Sequence, residues 1–146
     1  MSTIRKQPGR DDPGHFLVVD RTLETVTGSD LGLLWCTTPL LADYILRLEW
    51  LRWEDYDNSG VFVRFPNPEG KAYNNSAFVA VDLGFEVQID EFGLPDGQDI
   101  HKTGAIYRNE GRRDGETFAQ KPARPIGQWN QIRVKGQKCQ VFLNGD

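Results

Sequence analysis

The feature that most constrains the fold of this chain is an alternation of apolar and polar side chains that recurs in short segments. In residues 84–90, Phe85, Val87 and Ile89 alternate with polar residues, and residues 44–53 alternate in the same way. Successive side chains of a β-strand point to opposite faces, so a period of two indicates a strand with one face in a core. Both segments are therefore predicted to be strands.

Further segments show this alternation or are short apolar runs bounded by turn formers, whereas no segment has the 3.6-residue period of a helix. The predicted strands are residues 16–20, 23–27, 31–36, 44–53, 61–65, 84–90, 103–108, 129–135 and 138–143. The strand at 84–90 is expected to extend back over residues 78–83. Turn signals separate the strands at short intervals, and the chain contains 15 glycines and 8 prolines. This pattern predicts an all-β antiparallel β-sandwich or jelly roll.

The length of 146 residues is that of one domain with its own hydrophobic core. Residues 1–14 mix charges with proline and glycine and are expected to form a flexible tail, so residues 15–146 are expected to form a single sandwich. Asn144 and Gly145 form a strong hairpin-turn signal at the very end. We therefore expect the sandwich to lack its final strands.

Charge and hydropathy exclude several classes of partner. The net charge of −4 argues against a nucleic-acid binder, because neutralising phosphates requires a basic face. No apolar run is long enough to cross a membrane, and the N-terminus lacks the apolar core of a signal peptide. The sequence thus predicts a cytoplasmic protein, or a secreted or periplasmic one if a leader was removed. The oligomeric state stays open.

Several residues that often carry chemistry are given structural roles by their context. Cys36 and Cys139 lack metal-ligand spacing and are expected to be isolated thiols. The acidic residues around position 96 lack the regular spacing of a calcium loop, so no cofactor is predicted, although a divalent cation is possible. The tryptophans are expected to pack in the core or at a sheet edge; they are Trp35, Trp50, Trp53 and Trp129.

The polar side of the strand at 84–90 carries Glu86, Gln88 and Asp90 in a row. If strands that follow one another in the sequence also lie side by side in a sheet, the outward residues of the neighbouring strands join this row. The predicted patch then consists of Arg47, Glu49, Arg64, Glu86, Gln88, Asp90 and Tyr107. Such groups supply the donors and acceptors that sugar hydroxyls need. The sequence therefore predicts a carbohydrate ligand.

Several blocks of the chain, in this order, resemble the 3-keto-disaccharide hydrolase domain family. These blocks are residues 46–50, 58–64, 84–90, 103–107, 121–122, 129–130 and 143–145. The resemblance implies a concanavalin-A-like jelly roll. It also implies cleavage of glycosides whose sugar is oxidised to a ketone at carbon 3, by a hydrolase or lyase.

In a 3-keto sugar the ketone acidifies the hydrogen on carbon 2, so one base can form an enolate that expels the group on carbon 1. We expect Glu86 or Asp90 to be this base and Arg64 to stabilise the enolate charge. Tyr107 or His101 is expected to protonate the leaving oxygen. The residues expected to bind the substrate are Glu49, Gln88, Tyr107 and His101.

Two alternatives compete with this interpretation. The same fold serves carbohydrate-binding proteins, so the chain is alternatively a noncatalytic carbohydrate-binding or interaction module. At the level of residues, Arg64 alternatively forms a cross-strand ion pair with Glu86 or Glu49, and His101 is alternatively a solvated loop residue.

Overall fold

The computed structural model describes residues 2–3, 14–108, 123–136 and 139–145. Within these residues the regular secondary structure is nearly all strand, with one short α-helix and one turn of 3₁₀-helix. In chain order the elements are β1 (Ser2–Thr3), β2 (His15–Val19), β3 (Thr22–Val26), β4 (Leu34–Trp35), β5 (Ile45–Trp50), β6 (Ser59–Val63), α1 (Phe78–Leu83), β7 (Phe85–Ile89), the 3₁₀ turn (Asp99–His101), β8 (Ile106–Tyr107), β9 (Asn130–Lys135) and β10 (Gln140–Leu143).

Two three-stranded antiparallel sheets form the body of the fold. Sheet I has the strand order β10-β9-β5, and sheet II has the order β6-β7-β8. Val87 and Ile89 of sheet II pack in one core cluster with Ile132 and Val134 of sheet I. Because the apolar faces of the two sheets meet in this cluster, the predicted antiparallel β-sandwich is confirmed.

The period-two alternation of β9 explains how it contributes to this core. Ile132 and Val134 are almost completely buried, whereas Gln131 and Lys135 are exposed. Burying an aliphatic side chain of this size stabilises a fold by about 1.5–3 kcal/mol. Trp50 at the end of β5 closes the cluster, at 8% exposure.

A hairpin, β2–β3, forms a separate two-stranded sheet. Its turn is Asp20-Arg21, and both residues have positive φ angles, of 46° and 65°. Two left-handed residues between the strands match the twist of a tight hairpin. The predicted strands over residues 16–20 and 23–27 are therefore confirmed, with boundaries shifted by one residue.

Residues 78–83 form a helix, so the prediction that they extend the following strand was wrong. The side-chain oxygen of Asn75 accepts a hydrogen bond from the amide of Ala77, and the carbonyl of Asn75 accepts one from Phe78, so the chain already turns before α1. A run of six mostly apolar residues fits either a strand or a buried helix by pattern alone, and here Val79 and Ala80 bury one face of a helix.

The passage from α1 into β7 depends on Gly84. A Cβ atom on Gly84 would lie 2.6 Å from the carbonyl oxygen of Ala80 and 3.0 Å from Cβ of Phe65. A side chain at this position would therefore force the helix end away from β6. The absence of one allows α1 to end directly where β7 begins.

Helix α1 and strand β4 cover part of the second face of sheet II. Trp35 of β4 and Ala80 of α1 belong to a smaller apolar cluster, against which Phe62 of β6 packs. Phe62 lies opposite Glu86 in the sheet register. The face that carries Glu86 is therefore bounded at one end by an apolar wall.

The expectations about the N-terminal tail and the loop before β9 meet the structure in part. Ser2–Thr3 lies within the predicted tail but pairs with Leu34–Trp35 as a strand. Residues 1 and 4–13 of that tail, and most of the predicted loop 109–125 with Lys121 and Pro122, lie outside the described residues. No described helix has the length and apolar character needed to cross a membrane. Cys36 and Cys139 are both free thiols.

The tryptophans divide into two pairs. Trp35 and Trp50 are each 8% exposed, as expected for core residues. Trp53 and Trp129 are 67% and 46% exposed, so neither is a core residue. Trp53 follows β5 and Trp129 directly precedes β9, and their packing at a sheet edge, the other expected position, stays a prediction.

Candidate active site

The polar row Glu86, Gln88 and Asp90 lies on the face of β7 opposite to the core residues Val87 and Ile89. This row was predicted to face outward, but Gln88 is only 2% exposed and Asp90 1%, while Glu86 is half-buried. Buried polar groups need hydrogen-bond partners, because an unsatisfied one destabilises the fold by about 1–3 kcal/mol. The partners of each residue therefore show what it does.

Asp90 organises the loop that follows β7. Its Oδ1 accepts hydrogen bonds from the amides of Phe92 (2.8 Å) and Gly93 (2.9 Å). Its Oδ2 accepts from the amide of Leu94 (2.9 Å) and from Nδ2 of Asn58 (3.1 Å). With four donors around it, this carboxylate holds the loop and the start of β6 together at the end of the polar row.

The side chain of Glu86 reaches diagonally over the backbone of β6 at Gly60. A Cβ atom on Gly60 would lie 2.0 Å from Oε1 and 2.7 Å from Cδ of Glu86. Only a residue without a side chain leaves room for the carboxyl group in this position. Gly60 therefore determines where the Glu86 carboxylate sits.

Gln88 supports Glu86 from within the same strand. When its amide is turned so that the nitrogen faces the two nearest acceptors, the nitrogen donates to Oε1 of Glu86 (3.1 Å) and to the carbonyl of Ser59 (3.0 Å). In the opposite orientation the amide oxygen of Gln88 would face both acceptors, to which it cannot donate. The nitrogen would then donate only one long hydrogen bond, of 3.4 Å, to Oδ1 of Asn58. The hydrogen bonding thus favours a donor at Oε1 of Glu86.

The backbone of Tyr107 lies at the position that the predicted patch requires. β8 pairs with β7, and Tyr107 is directly opposite Glu86 in the register. Only the backbone of this residue belongs to the described part of the chain. On the other side of β7, the partner of Glu86 is Phe62 of β6.

Arg64 follows β6 but makes its contacts at the edge of the other sheet. Its guanidinium donates hydrogen bonds to the carbonyls of Ala42 and Gly136, the latter at 2.8 Å. The guanidinium carbon also lies 4.6 Å from the ring centre of Tyr44. Because Ile45 pairs with Lys135, these contacts tie the end of β6 to one end of the β5–β9 pair, rather than to the polar row.

Glu49 and Arg47 lie on sheet I, so the assumption that β5 neighbours β6 was wrong. β5 pairs with β9, which places Glu49 opposite Gln131 and Arg47 opposite Arg133. Because Glu49 alternates with the core residues of β5, it faces away from sheet II. The predicted patch therefore separates into two surfaces, and Glu86, Gln88, Asp90 and the backbone of Tyr107 share sheet II.

His101 lies in the 3₁₀ turn of the loop after β7. Its Nδ1 is 2.8 Å from Oδ1 of Asp96, which also accepts a hydrogen bond of 3.0 Å from the amide of Gln98. The hydrogen bond from Gln98, followed by that from His101, lowers the pKa of Asp96. This cluster fixes the loop at the Asp90 end of β7, four residues along the strand from Glu86.

No metal site emerges in the part of the chain that the structure describes. Within it, no group of three or more histidine, cysteine, aspartate or glutamate side chains is arranged to hold an ion. The predicted possibility of a divalent cation stays a prediction.

Two residues of the site were not singled out from the sequence, although both belong to the segment 58–64 of the family resemblance. Asn58 binds Asp90, and Gly60 gives Glu86 its place. A glycine inside an alternating strand is the signal that would have identified Gly60, because such a residue often marks a close approach of another group. The bond of Asn58 to Asp90 depends on strand register and has no comparable signal.

A search of curated protein sequences found no match. Among solved structures, the fold is similar to one described as a "putative glycosyl hydrolase" from Parabacteroides distasonis ATCC 8503, with a TM-score of 0.51 and 22% sequence identity. The similarity covers 72% of this chain and 48% of that one, so the chain spans about half the length of the protein it matches. The model of the 3-keto-alpha-glucoside-1,2-lyase-like domain matches residues 4–146, and the chain therefore belongs to this family.

Proposed function

We propose that this protein cleaves the glycosidic bond of 3-keto-glycosides by base-catalysed elimination, with Glu86 as the base. The observation that carries the proposal is the fixed carboxylate of Glu86. Gly60 makes room for it, and the amide of Gln88 donates to one of its oxygens. The family description supports the reaction class, because a 1,2-lyase forms a double bond between carbons 1 and 2 of the sugar.

In the proposed reaction, Glu86 takes the proton from carbon 2, which the neighbouring ketone makes acidic. The electron pair left on carbon 2 is delocalised onto the ketone oxygen as an enolate. When the carbonyl re-forms, the pair makes the bond between carbons 1 and 2, and the bond from carbon 1 to the glycosidic oxygen breaks. The leaving oxygen takes a proton, and later addition of water to the double bond gives the free 3-keto sugar. A positioned base of this kind contributes about 10²–10⁴ to a rate.

The remaining candidate residues take roles that follow their contacts. Asp90 has four hydrogen-bond donors on its two carboxylate oxygens, so its role is to hold the site together. Arg64, the proposed stabiliser of the enolate, would have to give up two carbonyl acceptors to reach the sugar. Tyr107, opposite Glu86, is the better placed of the two proposed donors to the leaving oxygen.

Replacing Glu86 by glutamine tests the proposal, because the variant keeps the shape of the side chain and loses its basicity. Release of the aglycone from a 3-keto-glucoside is the measurement. We expect Glu86→Gln to lower kcat by about 10²–10⁴. The matched control is Glu49→Gln on the outer face of sheet I, which is expected to leave kcat unchanged. Equal turnover by both variants and by the wild type would exclude Glu86 as the base.

The same assay separates the enzyme from the alternative function. The unoxidised glycoside lacks the ketone, so its carbon 2 hydrogen is not acidic and elimination cannot proceed. An enzyme of the proposed kind therefore cleaves only the 3-keto substrate. Binding of both glycosides without cleavage of either would instead identify a noncatalytic carbohydrate-binding module.

A further inference from the structure

Two aromatic rings are stacked at the surface of the loops beyond the polar row. The ring centres of Tyr56 and Phe92 are 5.0 Å apart, and the ring planes are inclined by 21°. Despite this contact, Tyr56 is 72% exposed and Phe92 43%. The pair therefore presents a substantial aromatic surface to the solvent.

Hydrogen bonds tie the loops that carry this pair to the Asp90 end of the polar row that begins at Glu86. The loop that carries Phe92 wraps around the Asp90 carboxylate, which accepts from the amides of Phe92 and Leu94. Asp90 also binds Asn58, two residues after Tyr56. The amide of Phe92 is thus bonded directly to the carboxylate that ends the polar row, and the loop of Tyr56 is bonded to it through Asn58.

The loops that carry the two rings are held in place before any ligand arrives. In the loop before β6, Oδ2 of Asp57 accepts hydrogen bonds from the amides of Trp53 (2.9 Å) and Glu54 (3.0 Å). In the loop after β7, Asp90 performs the same role for three consecutive amides. A binding surface that is already ordered loses less conformational entropy when it binds.

The spacing along β7 fits a ligand longer than one sugar ring. Glu86 and Asp90 are four residues apart, which corresponds to about 13 Å between their Cα atoms. A ring bound at Glu86 therefore leaves room along the polar row for a second ring on the side of the loops that carry the aromatic pair. The flat C–H face of a second pyranose ring is the chemistry that exposed aromatic faces accept.

We propose that the stacked rings of Tyr56 and Phe92 form the subsite for the leaving-group sugar of a disaccharide substrate. The proposal rests on the proposed function for the location of the reacting ring at Glu86. In this arrangement the rings contact the departing sugar, while Glu86 acts on the ketone-bearing one. The pair therefore sets the preference for disaccharides over glycosides with small leaving groups.

Kinetics with two substrates test this subsite. For Tyr56→Ala, we expect KM for a 3-keto-disaccharide to rise by about three- to tenfold, with KM for methyl 3-keto-glucoside unchanged. Tyr56→Phe keeps the stacked ring and is expected to behave as the wild type. Leu41→Ala removes an exposed apolar side chain, 80% exposed, from the segment before β5 and serves as the control. A Tyr56→Ala variant with an unchanged KM for the disaccharide would overturn the subsite.

A binding measurement separates failure of the subsite from failure of the proposed function. Glu86→Gln is titrated with an unoxidised disaccharide and with the methyl glucoside while the ring proton resonances of Tyr56 and Phe92 are followed by NMR. We expect only the disaccharide to shift them. Such shifts in the variant, together with a wild-type protein that cleaves no 3-keto-glycoside, would support the subsite and reject the elimination. Turnover that depends on Glu86, with no ring shifts, would support the elimination and reject the subsite.

Discussion

The carboxyl group of Glu86 occupies the space that a side chain on Gly60 would fill, with Oε1 only 2.0 Å from the position of a Cβ atom. The two residues lie on adjacent strands, diagonally across the register that pairs Gly60 with Gln88 and Phe62 with Glu86. A glycine in a strand weakens the sheet, because it packs no side chain. Here the missing side chain of Gly60 leaves the space that the carboxyl group of Glu86, the proposed catalytic base, occupies.

The first prediction is that Gly60→Ala lowers activity far more than stability. Gly60 does not have a positive φ angle, so alanine is compatible with its backbone. The new methyl group displaces the end of a flexible side chain, and misplacing a catalytic group by about 1 Å reduces a rate by about 10²-fold. We expect kcat for a 3-keto-glucoside to fall by about that factor, while the thermal unfolding temperature changes little.

Gly32→Ala is the matched control for this substitution. Gly32 also has no positive φ angle, and a Cβ atom on it would meet nothing within 4 Å. We expect its kcat and unfolding temperature to equal those of the wild type. If Gly60→Ala retained full activity, the position of the Glu86 carboxylate would not matter for the reaction.

The sequence predicts this fold well where one face of a strand is apolar. Ile132 and Val134 alternate with polar residues, and burial of that face leaves one register for β9. The helix α1 was missed because a short apolar run does not show whether it will be buried as a strand or as a helix. The side chain of Asn75, which accepts a hydrogen bond from the amide of Ala77, starts the turn that leads into α1. Local patterns therefore predict strands better than they predict short buried helices.

The candidate site was predicted only in part, because strand order does not follow from sequence order. The alternation of β7 correctly grouped Glu86, Gln88 and Asp90 on one face. Glu49 was assigned to the same patch, yet β5 pairs with β9, more than seventy residues later in the chain. Contacts between distant strands depend on tertiary packing, which a single sequence does not display.

The second prediction is that Asp90→Asn destabilises the fold. An amide offers only one acceptor oxygen, so its NH₂ group would face amides that also donate, such as those of Phe92 and Leu94. With the site 1% exposed, water cannot replace the lost acceptor. We expect the free energy of unfolding in urea to fall by about 2–4 kcal/mol. Asp43→Asn, at an exposed aspartate near the start of β5, is expected to change it by less than about 0.5 kcal/mol. An Asp90→Asn variant of normal stability but without activity would instead identify Asp90 as catalytic.

The third prediction concerns Arg64 and the phenol of Tyr44. Burial raises the pKa of Tyr44, and the nearby charge of Arg64 partly offsets that rise. In Arg64→Ala the offset is removed, so we expect the pKa of Tyr44 to rise further. Ultraviolet titration of tyrosinate, with Tyr44→Phe to identify the signal, measures this pKa. Arg64→Lys retains a positive charge and is expected to show a smaller rise. A pKa that does not change in Arg64→Ala would contradict the contact between the guanidinium and the ring.

The fourth prediction is that the loop after β7 loosens in acid because of Asp96. The hydrogen bonds from Gln98 and His101 lower the pKa of its carboxyl below the ordinary value of 3.8 in the folded protein. The unfolded chain therefore takes up the proton first, and the stabilising contribution is complete above that value and is lost as the pH falls through the lowered pKa. We expect the amide resonance of Gln98 in NMR spectra to titrate with a midpoint below 3.8. In Asp96→Asn this titration should disappear. A midpoint at or above the ordinary value would show that the two hydrogen bonds do not persist in solution.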